Sequence, residues 1–271
     1  MSSTPPSDLD PASATPLTEG AQRELTRLCI QTGLLLMQHG AESALIENLS
    51  RRLGETLGVD RVEMGVFANS LVLTTLSERH CITTVRRSED RGINMHVVIE
   101  VQRALLAVEA GTLDADGYRA RLEAIRPFHY PRPLTSLAIG LSCASFARLA
   151  HADWTGCGVV LVASSVAMFL RLHVARLHFS PVVNFFFTAF VATSLAGLSE
   201  PLKLGGTPKL ALAACVLLLV PGFPLINGVS DMVKGYMSTG LARLAYATIL
   251  SAASCAGIIL AMTLWNLWGL P

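Results

Sequence analysis

The sequence predicts an α-helical polytopic membrane protein with a separate α+β domain at its N-terminal end. Three observations carry this: charge is split unevenly along the chain, apolar stretches follow one another in the back half, and the hydrophobic period changes inside the front half. Residues 1–133 hold 14 of the 21 Lys and Arg and 17 of the 20 Asp and Glu, leaving ten charges for residues 134–271. Of all 271 residues 51% are hydrophobic and 15% charged, with a mean hydropathy of +0.48. Soluble domains carry roughly 25% charged residues, so a single soluble globule is excluded. A net charge of +1 gives no field that would draw in a nucleic acid.

Each element of the front half has its own reason. Residues 1–18, rich in Ser, Thr and Pro, are expected to be a disordered tail. They lack the basic start and apolar core of a secretory signal. From Glu19 a helix is expected, because Leu25, Leu28, Cys29, Thr32, Leu35 and Leu36 recur at helical spacing and Gly40 stops it. A second begins at Ala41-Glu42-Ser43. Its Leu45, Leu49, Leu53 and Leu57 recur every four residues, and Gly58 follows as the residue after its C-cap. Residues 61–67, 70–76 and 81–85 are rich in β-forming residues and read as an antiparallel sheet, with Ser77-Glu78-Arg79 as a charged turn. Helical pattern returns over 94–109 and 114–125, separated by Gly111-Thr112 and Asp114. The front domain is therefore placed at 19–126.

Pro127, Pro131 and Pro133 make 127–133 a linker, and 134–271 a transmembrane domain. Five apolar segments are expected to span, at about 134–150, 154–172, 180–199, 209–230 and 243–267. A spanning helix needs about 20 apolar residues, with a range of about 17–25. Flanks holding Arg126, Arg132, Arg171, Arg176, Lys234 and Arg243 face those holding Arg148, Lys203 and Lys209. This bias puts the front domain in the cytosol. An odd number of spans then puts the C-terminus outside, with Trp154, Trp265 and Trp268 at that interface.

The fourth segment is interrupted. Pro221 and Pro224 lack an N–H and clash with the preceding turn, and Gly222 adds backbone freedom. Carbonyls freed in lipid must be satisfied by protein or by water in a cavity, and broken membrane helices recur at substrate sites. A half-helix starting near Pro224 would turn its free N–H groups towards an anion. Asn227, Asp231 and Lys234, spaced i, i+4 and i+7, share one face, and Gly228 and Gly235 offer a smooth stripe for packing. Pro221, Gly222, Pro224, Asn227, Asp231 and Lys234, with Asn184 of the third segment, are the candidate substrate path, and Asp231 is a candidate proton carrier. The competing reading is a proline kink with an Asp/Lys pair at the membrane edge. Ser142, Ser145, Ser164, Ser165, Thr188 and Ser194 read as packing hydroxyls, and Arg148 and Asp153 as an exposed loop.

Nothing points to a metal, a cofactor or covalent chemistry. The six cysteines form no CxxC pair and read as buried free thiols. His173 and His178, five apart, join Arg171 and Arg176 in a membrane-edge cluster. A P-loop, GxGxxG and GxSxG are all missing. Glu42, Glu47 and Glu63 read as solvated faces. Besides transport, a membrane-anchored sensor and, with least support, an intramembrane hydrolase using Ser43 or Ser70 are the other classes considered.

Gln38-His39-Gly40-Ala41-Glu42-Ser43, Arg52-Leu53-Gly54 and Val62-Glu63 resemble the soluble portion of the threonine/serine exporter (ThrE-like) family. Residues 141–149, Leu-Ser-Cys-Ala-Ser-Phe-Ala-Arg-Leu, resemble its first membrane helix. Residues 218–231, from Leu218 through Val220-Pro221-Gly222-Phe223-Pro224 to Asp231, look like its signature segment. The likeness covers about 20–265 and resembles most the larger subunit of the split two-component form, the YjjP-like type. It implies a multi-pass subunit of a bacterial inner-membrane exporter, with a cytoplasmic N-terminal domain and a periplasmic C-terminus. It also implies a small integral-membrane partner subunit in a hetero-oligomer. The split form implies a small carboxylate such as succinate as cargo; the wider family implies threonine and serine. Ala152, before Asp153-Trp154, departs from an expected glycine.

Overall fold

A computed structural model describes residues 17–77, 80–177, 179–199, 202 and 205–267. Most of the expected tail (residues 1–16), Glu78 and Arg79 of the charged turn, His178, Lys203 and Trp268 lie outside the described residues. The chain divides into two compact units, Met1–Phe128 and His129–Pro271.

The front unit holds α1 (Glu19–Gln38), α2 (Ser43–Thr56), β1 (Arg61–Val66), β2 (Ser70–Ser77), β3 (His80–Arg87), α3 (Met95–Glu109) and α4 (Ala115–Ala124). Two residues placed in the expected tail take part in the fold: Leu17 packs on the core, and the Thr18 hydroxyl caps α1 by accepting from Ala21 N at 3.3 Å. Both helix stops fall where glycine placed them. Gly40 and Gly58 have φ of +83° and +94°, the left-handed turn that lets a helix close its last carbonyls. The strands pair antiparallel in the order β1-β2-β3. On β2, Leu71, Leu73 and Thr75 alternate into the core, as a half-buried strand requires. Gln22, fully buried on α1, donates to Thr75 O at 3.1 Å and to His80 O at 3.2 Å, which fastens the helix to the β2–β3 hairpin. Tyr118 of α4 meets the Thr32 hydroxyl at 3.1 Å.

The back unit is helical: α5 (Arg132–Leu149), α6 (Trp154–Val174, extended by a 3-10 turn Ala175–Leu177), α7 (Pro181–Gly197), α8 (Pro208–Val216, extended by a 3-10 turn Leu217–Leu219), α9 (Gly222–Val233) and α10 (Met237–Leu264). Two are long and apolar enough to cross a membrane, Trp154–Leu177 and Met237–Leu264. A third crossing exists if Pro208–Leu219 and Gly222–Val233, bent by 60°, count as one span. α7 is apolar but has only 17 residues, about 26 Å at 1.5 Å per residue. α5, 18 residues long, is not among the spanning helices, since Arg132 and Arg148 lie within its two ends. The five expected segments are all helical, with two meeting the spanning test as single helices.

Inside this unit most buried positions are small, apart from a cluster of Phe185, Leu219 and Leu250. Cys143, Ala144 and Ala147 of α5 meet Cys157, Val160, Ala163 and Ala167 of α6, with Ala192 and Ala196 of α7 and Ala211, Ala214 and Cys215 of α8. A Cβ added at Gly140 would collide with Ser165 Oγ and lie 2.7 Å from Leu161 O, so α5 and α6 approach nearly to backbone contact. Leu137, Leu141, Phe146, Val162, Val166 and Phe169 point outward.

Candidate functional site

The break between α8 and α9 begins with what Pro221 cannot do. In a continuing 3-10 turn the carbonyl of Leu218 would accept from residue 221, which has no N–H. Pro221 instead has φ −77° and ψ 61°, the centre of an inverse γ-turn, and Gly222 N donates back to Val220 O at 2.8 Å. Leu218 O is thereby left over. It accepts from Arg171 Nη1 of α6 at 3.2 Å, and the same guanidinium lies 4.2 Å over the ring of Phe185 on α7. Protein, rather than water, satisfies that freed carbonyl.

The half-helix starts at Gly222, two residues before the expected Pro224. Its N-terminus is also less available to an anion than the sequence reading supposed. Gly222 N–H is turned to Val220 O, Pro224 has none, and Leu225 N donates to Pro221 O at 3.2 Å. Among the described residues, Phe223 alone retains a first-turn N–H without a partner.

The sequence-predicted residues separate into two groups. Asn184, buried on α7, donates Nδ2 to Arg171 O at 3.2 Å, and Thr188 Oγ1 lies 3.3 Å from its Oδ1. With Pro221 and Gly222 it belongs to the break. Asp231 is fully buried and pairs with Arg243 of α10 at 3.0 Å; Asn227, one turn before it, is half-buried. Lys234 is exposed and forms the C-cap of α9. Asp231 thus has an ionic partner on the next helix, in an Asp/Arg pair between α9 and α10. Gly235 has a different job from packing: with φ +93° it ends α9, as Gly235 N donates to Met232 O and Tyr236 N to Asp231 O. The close approach is made by Gly228 and Gly240, whose added Cβ atoms would meet Leu244 Cγ at 2.9 Å and Met232 N at 2.9 Å respectively.

Asp153 is likewise more than an exposed loop residue. Its carboxylate caps α6 and accepts from Thr207 Oγ1 at 2.6 Å and Thr155 Oγ1 at 2.7 Å. These bonds hold its pKa far below the usual aspartate range, Thr207 first and Thr155 second. A cavity of about 420 Å³ between α7, α8 and α10, lined by Thr193, Lys209, Leu212 and Met262 among others, contains none of the predicted residues. Among the described residues no cluster of His, Cys, Asp or Glu could hold a metal. Four cysteines are buried, but Cys81 and Cys255 are exposed. Burial pushes the Cys29 thiol up to about 12, which makes it inert.

Arg171 and Arg243 were missed as site residues because both counted only as basic flanks. A signal existed for each: Arg171 is followed by a further helical turn, and Arg243 lies between apolar residues within a long helix.

A bundle with small-residue packing, a broken apolar helix, a half-buried guanidinium at the break and an Asp/Arg pair further along the second half-helix has the architecture of a membrane transport protein. The chain belongs to the threonine/serine exporter family: the family model "Putative threonine/serine exporter" matches residues 27–265. It is similar to the "Probable succinate transporter subunit YjjP" of Escherichia coli (strain K12), 51% identical over 92% of this chain and 97% of that protein. The same-named protein of Klebsiella aerogenes is also 51% identical, over 92% of this chain and 96% of that protein. The "Probable threonine/serine exporter" of Mycobacterium tuberculosis is 22% identical over 89% of this chain and 46% of that protein. No solved structure matches. The family comprises exporters and the relatives are named as transporter subunits; the chain is not an enzyme.

Proposed function

We propose that this chain is the larger subunit of a two-component secondary exporter, which moves small carboxylates such as succinate across the bacterial inner membrane with a small membrane partner. The observation that carries the reading is the broken helix, whose interruption gathers Arg171 of α6 and Asn184 of α7 in an otherwise apolar unit, with the Asp231–Arg243 pair further along α9. The two relatives named as probable succinate transporter subunits, 51% identical, support the cargo. The word subunit in those names supports the partner. Pro221, Gly222, Pro224, Asn227, Asp231, Lys234 and Asn184 form or border the path. In the same reading residues 19–126 face the cytosol, and an odd number of crossings places the C-terminus in the periplasm. The chain carries no ATP-binding motif, so an ion or substrate gradient drives export.

The family match favours a second reading, a component that exports threonine and serine. An efflux assay from vesicles loaded with succinate, threonine or serine, with and without the small partner, separates the two. Succinate efflux that needs both subunits is expected; transport by this chain alone contradicts the two-component form. Asp231→Asn and Asn227→Ala should lose transport at unchanged abundance while Ser164→Ala keeps it. If both variants transport normally, the broken helix is a structural kink.

A further inference from the structure

The group that occupies the freed carbonyl at the break is a cation with no ion-pair partner among the described residues. Arg171 is half-buried. Nη1 donates to Leu218 O at 3.2 Å, Phe185 flanks one face at 4.2 Å, and Asn184 holds the backbone carbonyl at 3.2 Å. A guanidinium carries five N–H donors, and Arg171 makes this single side-chain hydrogen bond and no ion pair with the described residues. Asp153 is committed to Thr207 and Thr155 at the opposite end of α6. Asp231 is committed to Arg243. Capping a carbonyl needs one N–H and no charge; a glutamine would serve. A fixed, partly desolvated fork matches a carboxylate with two parallel bonds.

We propose that Arg171 binds a carboxylate of the transported molecule at the break between α8 and α9, taking the anion-binding role that the occupied N-terminus of α9 does not fill. This rests on the small-carboxylate exporter reading. The test uses the full chain with its partner subunit in vesicles of zwitterionic lipid, measuring the concentration dependence of succinate transport. Arg171→Gln, which keeps a donor for Leu218 O, should raise the half-saturating concentration about tenfold or more at unchanged protein content. Arg171→Lys, which keeps charge but not the fork, should fall between. Lys209→Gln, an exposed basic residue, should match wild type.

Wild-type transport with an unchanged half-saturating value in Arg171→Gln makes Arg171 a carbonyl cap only and overturns the assignment. If Arg171→Gln fails to assemble, an unchanged value in Arg171→Lys overturns it instead. An effect seen only with anionic phospholipid present assigns the guanidinium to a lipid phosphate and also overturns it. Absence of carboxylate transport in the wild type would sink the exporter reading itself, a separate failure.

Discussion

The two units of this chain are built from similar helices but closed by opposite means. The front core is filled with large aliphatic side chains, among them Leu28, Ile30, Leu36, Ile46, Leu53 and Leu105, each at most 1% exposed. The back unit buries mainly Ala, Cys, Gly, Ser and Thr, with Phe185, Leu219, Leu250 and Leu267 as large exceptions, and turns many of its leucines and phenylalanines outward. The difference follows from the solvent. In water, removing apolar area is favourable at roughly 25 cal/mol per Å², so bulk goes inside. In lipid an outward Leu loses nothing, and association rests on close van der Waals approach, which only small residues permit. Buried hydroxyls tell the same story: Ser136, Ser164, Ser165 and Thr193 have no hydrogen-bond partner among the described residues, tolerated where smallness matters most.

If that contrast holds, truncation should hurt in front and enlargement behind. The largest effect is expected for Leu105→Ala, at about 2–5 kcal/mol for a large-to-small change in a well-packed core. Leu141→Ala, on an outward face of α5, should leave the melting temperature in detergent nearly unchanged. Equal losses at the two positions would break the comparison. Next comes Gly257→Val: an added Cβ collides with Phe186 O and lies 3.1 Å from Phe190 N. Backbone cannot yield, so overpacking of about 1–3 kcal/mol or more should appear as a lowered unfolding temperature. A neutral result would show that α7 and α10 are not held by close approach.

The Asp153 network sharpens the picture for a polar junction. Its pKa is depressed in the folded chain, so the unfolded state takes up the proton first as pH falls. Its contribution is therefore complete above the ordinary aspartate value of about 3.9 and fades below it. The gap in melting temperature between wild type and Asp153→Asn should be constant near neutral pH and shrink under acid; a gap that widens would exclude this role. The smallest effect is expected at His151, which holds φ +66° without being glycine. His151 N donates to Arg148 O and Ala152 N to Ala147 O, a helix ending that usually takes glycine. Ala152, where the resemblance led one to expect glycine, is instead fully buried. His151→Gly should raise stability by less than about 1 kcal/mol, since relief of left-handed strain is partly offset by backbone entropy.

Much of the fold was legible from local signals. Gly40, Gly58 and Asp114 marked helix ends because capping is settled within a few residues, and the β-forming residues of 70–76 exposed β2. The break itself was legible too, since Pro221 lacks a donor in any fold. What the break faces was not legible. Arg171 lies 47 positions before Leu218, whose carbonyl it reaches, and Arg243 lies 12 after Asp231. A basic residue on a helix flank looks the same to the sequence whether it meets lipid headgroups or a freed carbonyl.

By itself, then, the sequence determined the charge split, the helical periods, their glycine and proline punctuation, and the point where the fourth apolar segment must break. Those properties depend on the covalent backbone and on neighbours within a turn. The tertiary structure alone decided which side chains answer the break, Arg171 for the carbonyl of Leu218 and Asn184 to hold Arg171, and that Arg243 meets Asp231 further along α9. Those pairings depend on which helices pack side by side, and in a unit held by small residues the close approach of backbones brings distant polar groups within reach.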